Sequence, residues 1–195
     1  MVALVAAAAL LLANDTFVAE SVVVASASMR PTLFPGDRAF LLKFPRRPIH
    51  RFAVIVATVG RPVARRVIKR VVALPGERVR VEDGWRVHVD GRPLSYGDPS
   101  DDGLRIEAGN HSIQSQALRT PAMNRPTPAG SMTEEVLLGP NEYFLLGDNR
   151  LASEDSRVFG PVTDTSIDGM VDLRWYSYDR QEHRLRPDRM AQRVR

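Results

Sequence analysis

Apolar residues open this chain as one block and afterwards come in short runs broken by Pro, Gly and charge. The block is a twelve-residue stretch from Val2 to Ala13. As a helix it reaches only about 18 Å, against a bilayer hydrocarbon core of about 30 Å, so it does not span alone. Three readings fit it: a membrane helix whose first turns precede Met1, a helix continuing unevenly through Asn14 and Asp15 to Ala19, or a buried helix of a soluble domain; the membrane readings are preferred. A secretory leader would carry basic residues before such a run, and here Val2 follows Met1 directly.

Beyond the block the pattern is that of strands. Residues 21–27 are rich in Val, 38–44 follow the turn signal Pro35-Gly36-Asp37, and 52–59 alternate apolar and small side chains. Residues 63–73 end at Leu74-Pro75-Gly76. Residues 79–81 lead through Asp83-Gly84 to 85–89 and then Asp90-Gly91, a dipeptide that closes tight hairpins. From Ser95 to Glu135 the chain turns polar, with Asp98, Asp101, Asp102, Pro121, Pro126 and Pro128 and no sustained period. Strand-like runs resume at 136–138 and 143–146, and 169–178 read as a final strand. The predicted fold is mainly β. It comprises an N-terminal apolar helix acting as a membrane anchor at 1–20, an antiparallel β domain over 21–94 and 136–178, a partly irregular inserted segment at 95–135, and a basic tail at 179–195.

Composition narrows the chemistry. With 44% hydrophobic and 26% charged residues the 195-residue chain is ordinary globular protein, able to bury one substantial core. Its formal net charge of +4 is concentrated in the tail, which is read as solvated. Such a tail can meet anionic lipid headgroups, but without regular stacking aromatics no nucleic acid partner is expected. No Cys is present, which excludes thiol catalysis, Cys-ligated zinc and disulfides.

Of the 27 basic side chains only Lys43 and Lys69 are lysines. A serine hydroxyl is a weak nucleophile near neutral pH and needs a base; an amine serves if burial brings its pKa down, whereas arginine stays protonated. Lys69 sits in Arg65-Arg66-Val67-Ile68-Lys69-Arg70-Val71-Val72, an apolar setting where a charge is costly. The partner serine is sought in Ser26-Ala27-Ser28-Met29-Arg30-Pro31-Thr32-Leu33. His50, His88, His111 and His183 fall in no motif, and no His/Asp/Glu cluster has ligand spacing, so neither a metal nor another cofactor is expected.

Three ordered segments, residues 26–33, 68–77 and 147–160, closely resemble motifs of the type I signal peptidases, which are Ser/Lys serine peptidases. The resemblance implies that Ser28 is the nucleophile and Lys69 its general base. It implies that the Ser26 hydroxyl and the Ser28 backbone N–H form the oxyanion hole, and that Ser153 orients the lysine amine. A neutral orienter is reasonable, because a carboxylate would hold the lysine protonated. Asp155 and Arg157 match a supporting ion pair. The implied cleft accepts small side chains one and three residues before the cut, with Val24, Met29, Leu33 and Ile68 as candidate walls; core packing is the competing reading for each. The chain departs from the family where Arg51-Phe52-Ala53 replaces an Arg-Gly-Asp, where Leu151-Ala152 replaces polar residues, and where Ala25 replaces a Pro.

The expected activity is removal of signal peptides from exported preproteins at the membrane lipid surface, with one N-terminal anchor and the catalytic domain outside the cytoplasm. Two rivals share part of the pattern. A self-cleaving repressor-type Ser/Lys peptidase would carry DNA-binding helices before the site, where an apolar segment stands instead. A catalytically silent membrane-bound binding module would not need Ser28, Lys69 and Ser153 together.

Overall fold

The computed structural model describes residues 18–43, 48–60, 62–82, 86–94, 134–179 and 182–194. Of the predicted N-terminal apolar segment, residues 1–17 lie outside them, as does the insertion up to residue 133. Val18, Ala19 and Glu20, placed in that segment, are instead strand, paired with Lys43, Leu42 and Leu41, so no helix continues to Ala19. Among the described residues no helix is long and apolar enough to cross a membrane.

The strands are β1 (Val18–Val23), β2 (Arg38–Lys43), β3 (Val54–Val59), β4 (Arg65–Ala73), β5 (Arg78–Glu82), β6 (Arg86–Val89), β7 (Arg92–Pro93), β8 (Val136–Leu137), β9 (Glu142–Leu146), β10 (Val162–Thr163), β11 (Ile167–Tyr176), β12 (Tyr178–Asp179), β13 (Arg184–Leu185) and β14 (Gln192–Arg193). One short helix, α1 (Ser156–Phe159), follows β9. The fold is mainly antiparallel β, as the alternating apolar runs predict. The large sheet runs β1-β2-β11-β3-β4-β9-β10, with β14 added to β11. A smaller sheet runs β7-β6-β5-β8.

Burial explains the order. β3 reads Val-Ile-Val-Ala-Thr-Val and is buried along nearly its whole length, so it takes a central place between β11 and β4. One apolar cluster gathers Val22, Val24, Met29, Leu33, Leu41, Val54, Val56 and Val171; another joins Ile55, Val71, Leu145 and Val162 on the other face of the sheet. The small sheet closes a third around Val79, Val81, Val87, Phe144 and Leu146. Its hairpin turns at Asp90 and Gly91, whose φ values of 49° and 74° are the paired left-handed conformations that the dipeptide predicts.

Two differences from the sequence reading bear on the site. Phe52, where the family pattern has Gly, adopts φ 67° and is buried. A side chain in the left-handed region costs about 1 to 2 kcal/mol, and here it is offset by apolar burial and by the bonds from Phe52 N–H to the Val71 carbonyl (2.8 Å) and from Arg70 Nη1 to the Phe52 carbonyl (2.8 Å). The basic tail, in turn, is not loose in solvent. β13 pairs with β12 and β14 pairs with β11, while Arg186 and Arg189 pack over the Phe34 ring at 4.9 and 4.1 Å. The wholly buried Asp37 supplies the negative charge that draws these arginines in.

Candidate active site

β4 is exposed at Arg65 and Arg66 and enters the interior at Lys69. Because successive side chains of a strand point to opposite faces, Lys69 and Arg70 diverge. The Lys69 side turns towards the loop after β1, and its Nζ lies 2.8 Å from Ser28 Oγ. Both residues are buried, Ser28 6% and Lys69 4% exposed. Burial removes the water that would stabilise an ammonium, and this pulls the Lys69 pKa from 10.5 to about 8; Arg65 pushes the same way, while Asp155, Glu154 and Asp148 partly oppose it. The pair is therefore a hydroxyl in contact with an amine that can be neutral at mildly alkaline pH.

Ser26 is brought to the same point, with its Oγ 3.1 Å from Ser28 Oγ. Ser153 comes close without joining in. Its Oγ is buried and has no hydrogen-bond partner, resting against Gly147 instead of reaching the Lys69 amine. Asp155 and Arg157 form a buried two-pronged pair, Nε to Oδ1 and Nη2 to Oδ2 both at 2.8 Å. Asp155 also accepts from the Gly147 N–H (3.0 Å), and Arg157 Nη2 donates to the carbonyls of Arg150 (2.8 Å) and Ser153 (3.3 Å). The pair thus fixes both ends of the loop from Gly147 to Ser153. Of the candidate walls, Val24, Met29 and Leu33 are at most 2% exposed within one apolar cluster, and only the partly buried Ile68 keeps appreciable surface.

The histidines stand elsewhere. His50 bonds the Arg51 carbonyl, His88 lies on the small sheet 3.8 Å from Glu82, His183 is exposed in the tail, and His111 lies outside the described residues.

A family model described as signal peptidase, peptidase S26, matches residues 1–176. The chain belongs to this signal peptidase family. It is 32% identical to signal peptidase I V of Bacillus subtilis (strain 168), over 76% of this chain and 80% of that protein. It is 30% identical to signal peptidase I of Bacillus caldolyticus, over 83% and 82% of the two chains. A crystal structure of a signal peptidase I from Enterococcus faecalis V583 is 29% identical, covers 64% of this chain and 97% of that one, and gives a TM-score of 0.44.

Within this member of the signal peptidase family, sequence reasoning missed a second buried ion pair. Arg70, wholly buried, donates from Nε and Nη2 to the two Asp148 oxygens, both at 2.7 Å. Thr32 Oγ1 donates to Asp148 Oδ2 at 2.5 Å, and Asn149 bonds the Ser28 loop through its N–H to the Ser28 carbonyl (2.9 Å) and its Nδ2 to the Ala27 carbonyl (3.3 Å). The available signal was an arginine inside a buried Val run, next to the candidate base. Asp148-Asn149 looks like turn chemistry in sequence, and it is a three-way clasp in space.

Gly147 is needed for the approach itself. A Cβ there would fall 2.2 Å from Ser153 Oγ and 2.6 Å from the Ser28 carbonyl oxygen. Gly147→Ala is therefore expected to displace Ser28 or the Ser153 loop, costing about 1 to 3 kcal/mol of stability together with the activity. An unchanged melting temperature with full activity would contradict the tight packing.

Proposed function

We propose that this chain removes N-terminal signal peptides from exported preproteins through an acyl-enzyme on Ser28, with Lys69 as general base. The observation that carries the reading is the 2.8 Å contact between Ser28 Oγ and a Lys69 amine whose pKa burial lowers to about 8. Neutral Lys69 accepts the hydroxyl proton as Ser28 Oγ attacks the scissile carbonyl. The resulting ammonium then protonates the departing amine, and the same base activates the water that releases the acyl group. The Ser28 N–H and the Ser26 hydroxyl are the donors for the oxyanion; 3.1 Å from Ser28 Oγ, the Ser26 hydroxyl is close enough to turn onto a bound carbonyl. Ser153, buried without a hydrogen-bond partner, is free to accept from the Lys69 ammonium once substrate closes the site. Ile68 is the cleft-wall candidate with surface to offer, and Val24, Met29 and Leu33 support it from beneath. The apolar stretch 2–13 supports an anchored chain whose catalytic domain works at the lipid surface outside the cytoplasm.

The pH dependence of kcat/KM on a preprotein tests the base. Activity is expected to rise along a basic limb with its midpoint near 8 and to keep that limb when His50, His88, His111 and His183 are each replaced. Loss of the limb in any one histidine variant would replace this reading with a Ser/His enzyme. Ser26→Ala is expected to lower kcat by about 10² to 10³, the scale of one oxyanion donor, with KM little changed. A change confined to KM would make Ser26 a substrate contact.

A further inference from the structure

Thr32, four residues beyond the candidate nucleophile, is gripped from two sides. Its hydroxyl donates to Asp148 and accepts from Arg70 Nη2 at 3.2 Å, which ties it to the strand that carries Lys69. Its carbonyl accepts from Arg174 Nη1 at 2.6 Å and from Arg189 Nη2 at 3.1 Å; the latter also reaches the Pro31 carbonyl at 3.2 Å. The two arginines hold each other, because Arg174 Nε donates to the Arg189 carbonyl at 2.5 Å and Arg174 Nη2 donates to Gln192. Arg189 is set in place by the Phe34 ring beneath it, 4.1 Å away, and by buried Asp37, 3.5 Å away. Asp37 is itself fixed by the Phe34 N–H (2.9 Å) and the Ser177 hydroxyl (2.5 Å).

Three features make this more than tail packing. The carbonyls being held belong to the loop that presents Ser28. That loop is a tight turn, with Arg30 N–H bonded to the Ala27 carbonyl (3.2 Å) and Leu33 N–H to the Met29 carbonyl (2.8 Å), so a shift at Thr32 is passed back to Ser28. And Arg189 lies beyond residue 176, where the match to the family model ends.

We propose that Arg189, acting with Arg174, is a positioning residue that holds the nucleophile loop through the carbonyls of Pro31 and Thr32 and so keeps the Ser28 hydroxyl on the Lys69 amine. The inference rests on the Ser28–Lys69 reading above. A planar guanidinium suits the task, since its fixed fork can serve two adjacent carbonyls from one nitrogen while its face lies on Phe34. Active-site geometry tolerates displacements of only about 0.5 Å, and one of about 1 Å can cost on the order of 100-fold in rate.

The test measures kcat and KM for preprotein cleavage by the full chain, with active enzyme counted by a serine-reactive covalent probe, at a temperature where each variant is folded. Arg189→Ala is expected to lower kcat by roughly 10- to 100-fold with KM nearly unchanged, and Arg189→Lys, which keeps the charge and a donating ammonium but loses the planar fork, to recover part of the loss. Arg186→Ala is the control. Arg186 packs on the same Phe34 ring at 4.9 Å and pairs with Asp179, but it bonds none of the loop carbonyls, so kcat per active molecule is expected to stay at the wild-type level. If Arg189→Ala does not fold, Arg189→Lys against Arg186→Ala carries the same comparison. Wild-type kcat in the folded Arg189 variants, or an equal loss in Arg186→Ala, overturns the positioning role. Lys69→Arg is run alongside: if it stays active, the dyad reading itself has failed, whereas an inactive Lys69→Arg with a fully active Arg189→Ala rejects the brace alone.

Discussion

Ser28→Ala and Lys69→Arg are each expected to abolish preprotein cleavage while leaving a folded protein, with kcat falling by about 10⁴ or more. The first removes the proposed nucleophile. The second keeps a cation of similar reach but one that does not deprotonate, so a serine in contact with it gains no base. Turnover near the wild-type rate in purified Lys69→Arg would end the dyad assignment. A companion variant, Lys69→Met, separates chemistry from stability. The Lys69 pKa is about 8 in the folded chain against 10.5 for an ordinary lysine, and a difference of that size corresponds to about 3 kcal/mol held against folding. The folded value lies below the unfolded one, so the penalty is full below about pH 8, shrinks as pH rises towards 10.5, and is gone above it. Lys69→Met should therefore be inactive yet at least as stable as wild type at pH 7, with the advantage shrinking between pH 8 and pH 10.5. Melting curves across that range decide it; a variant clearly less stable at pH 7 would mean that Asp155, Glu154 and Asp148 compensate the buried charge.

Breaking the Arg70–Asp148 pair is expected to be the most damaging single change to stability. Arg70 is wholly buried and Asp148 nearly so. Removing one partner strands the other charge in the interior, at about 3 to 5 kcal/mol. Asp148→Ala would also free the Thr32 hydroxyl, so it should lower activity in whatever fraction remains folded. Denaturant unfolding of Arg70→Met, Asp148→Leu and the double variant gives the measurement, with the double variant expected to lose less than the sum of the singles. A cost below about 1 kcal/mol for Asp148→Leu would show that water reaches the pair.

What could be read from the sequence was local. Val-rich runs between Pro and Gly signals located β2 to β6, and Asp90-Gly91 specified its own turn, because both depend on residues next to one another. Lys69 was legible since a lone lysine among buried valines has few other uses. Pairing over distance was not. Nothing near Arg70 announces a carboxylate 78 positions away, and nothing in 167–176 says that it will lie between β2 and β3. Phe52 was visible as a departure from a family pattern, but its left-handed backbone emerges only once its N–H meets Val71. Ser153 shows the reverse. Its motif implies a bond to the lysine, and side-chain packing against Gly147 leaves its hydroxyl without one.

β4 carries Lys69 and Arg70 as neighbours on opposite faces, one aimed at Ser28 and the other locked to Asp148. A strand's side chains alternate with period two, so a slip of one residue would move one of the two into the other's place. In one direction the amine would face the carboxylate, which favours its charged form, and Ile68 would stand beside the serine; in the other the guanidinium would face the serine, which it cannot deprotonate, and Val71 would meet the acid. The order Lys-Arg thus works as a registration mark: only the correct alignment of β4 against β3 and β9 satisfies the buried acid with the guanidinium and leaves the Lys69 amine beside Ser28. On the proposed dyad, a chain misaligned here in either direction would have no base beside Ser28 and so no proteolytic activity.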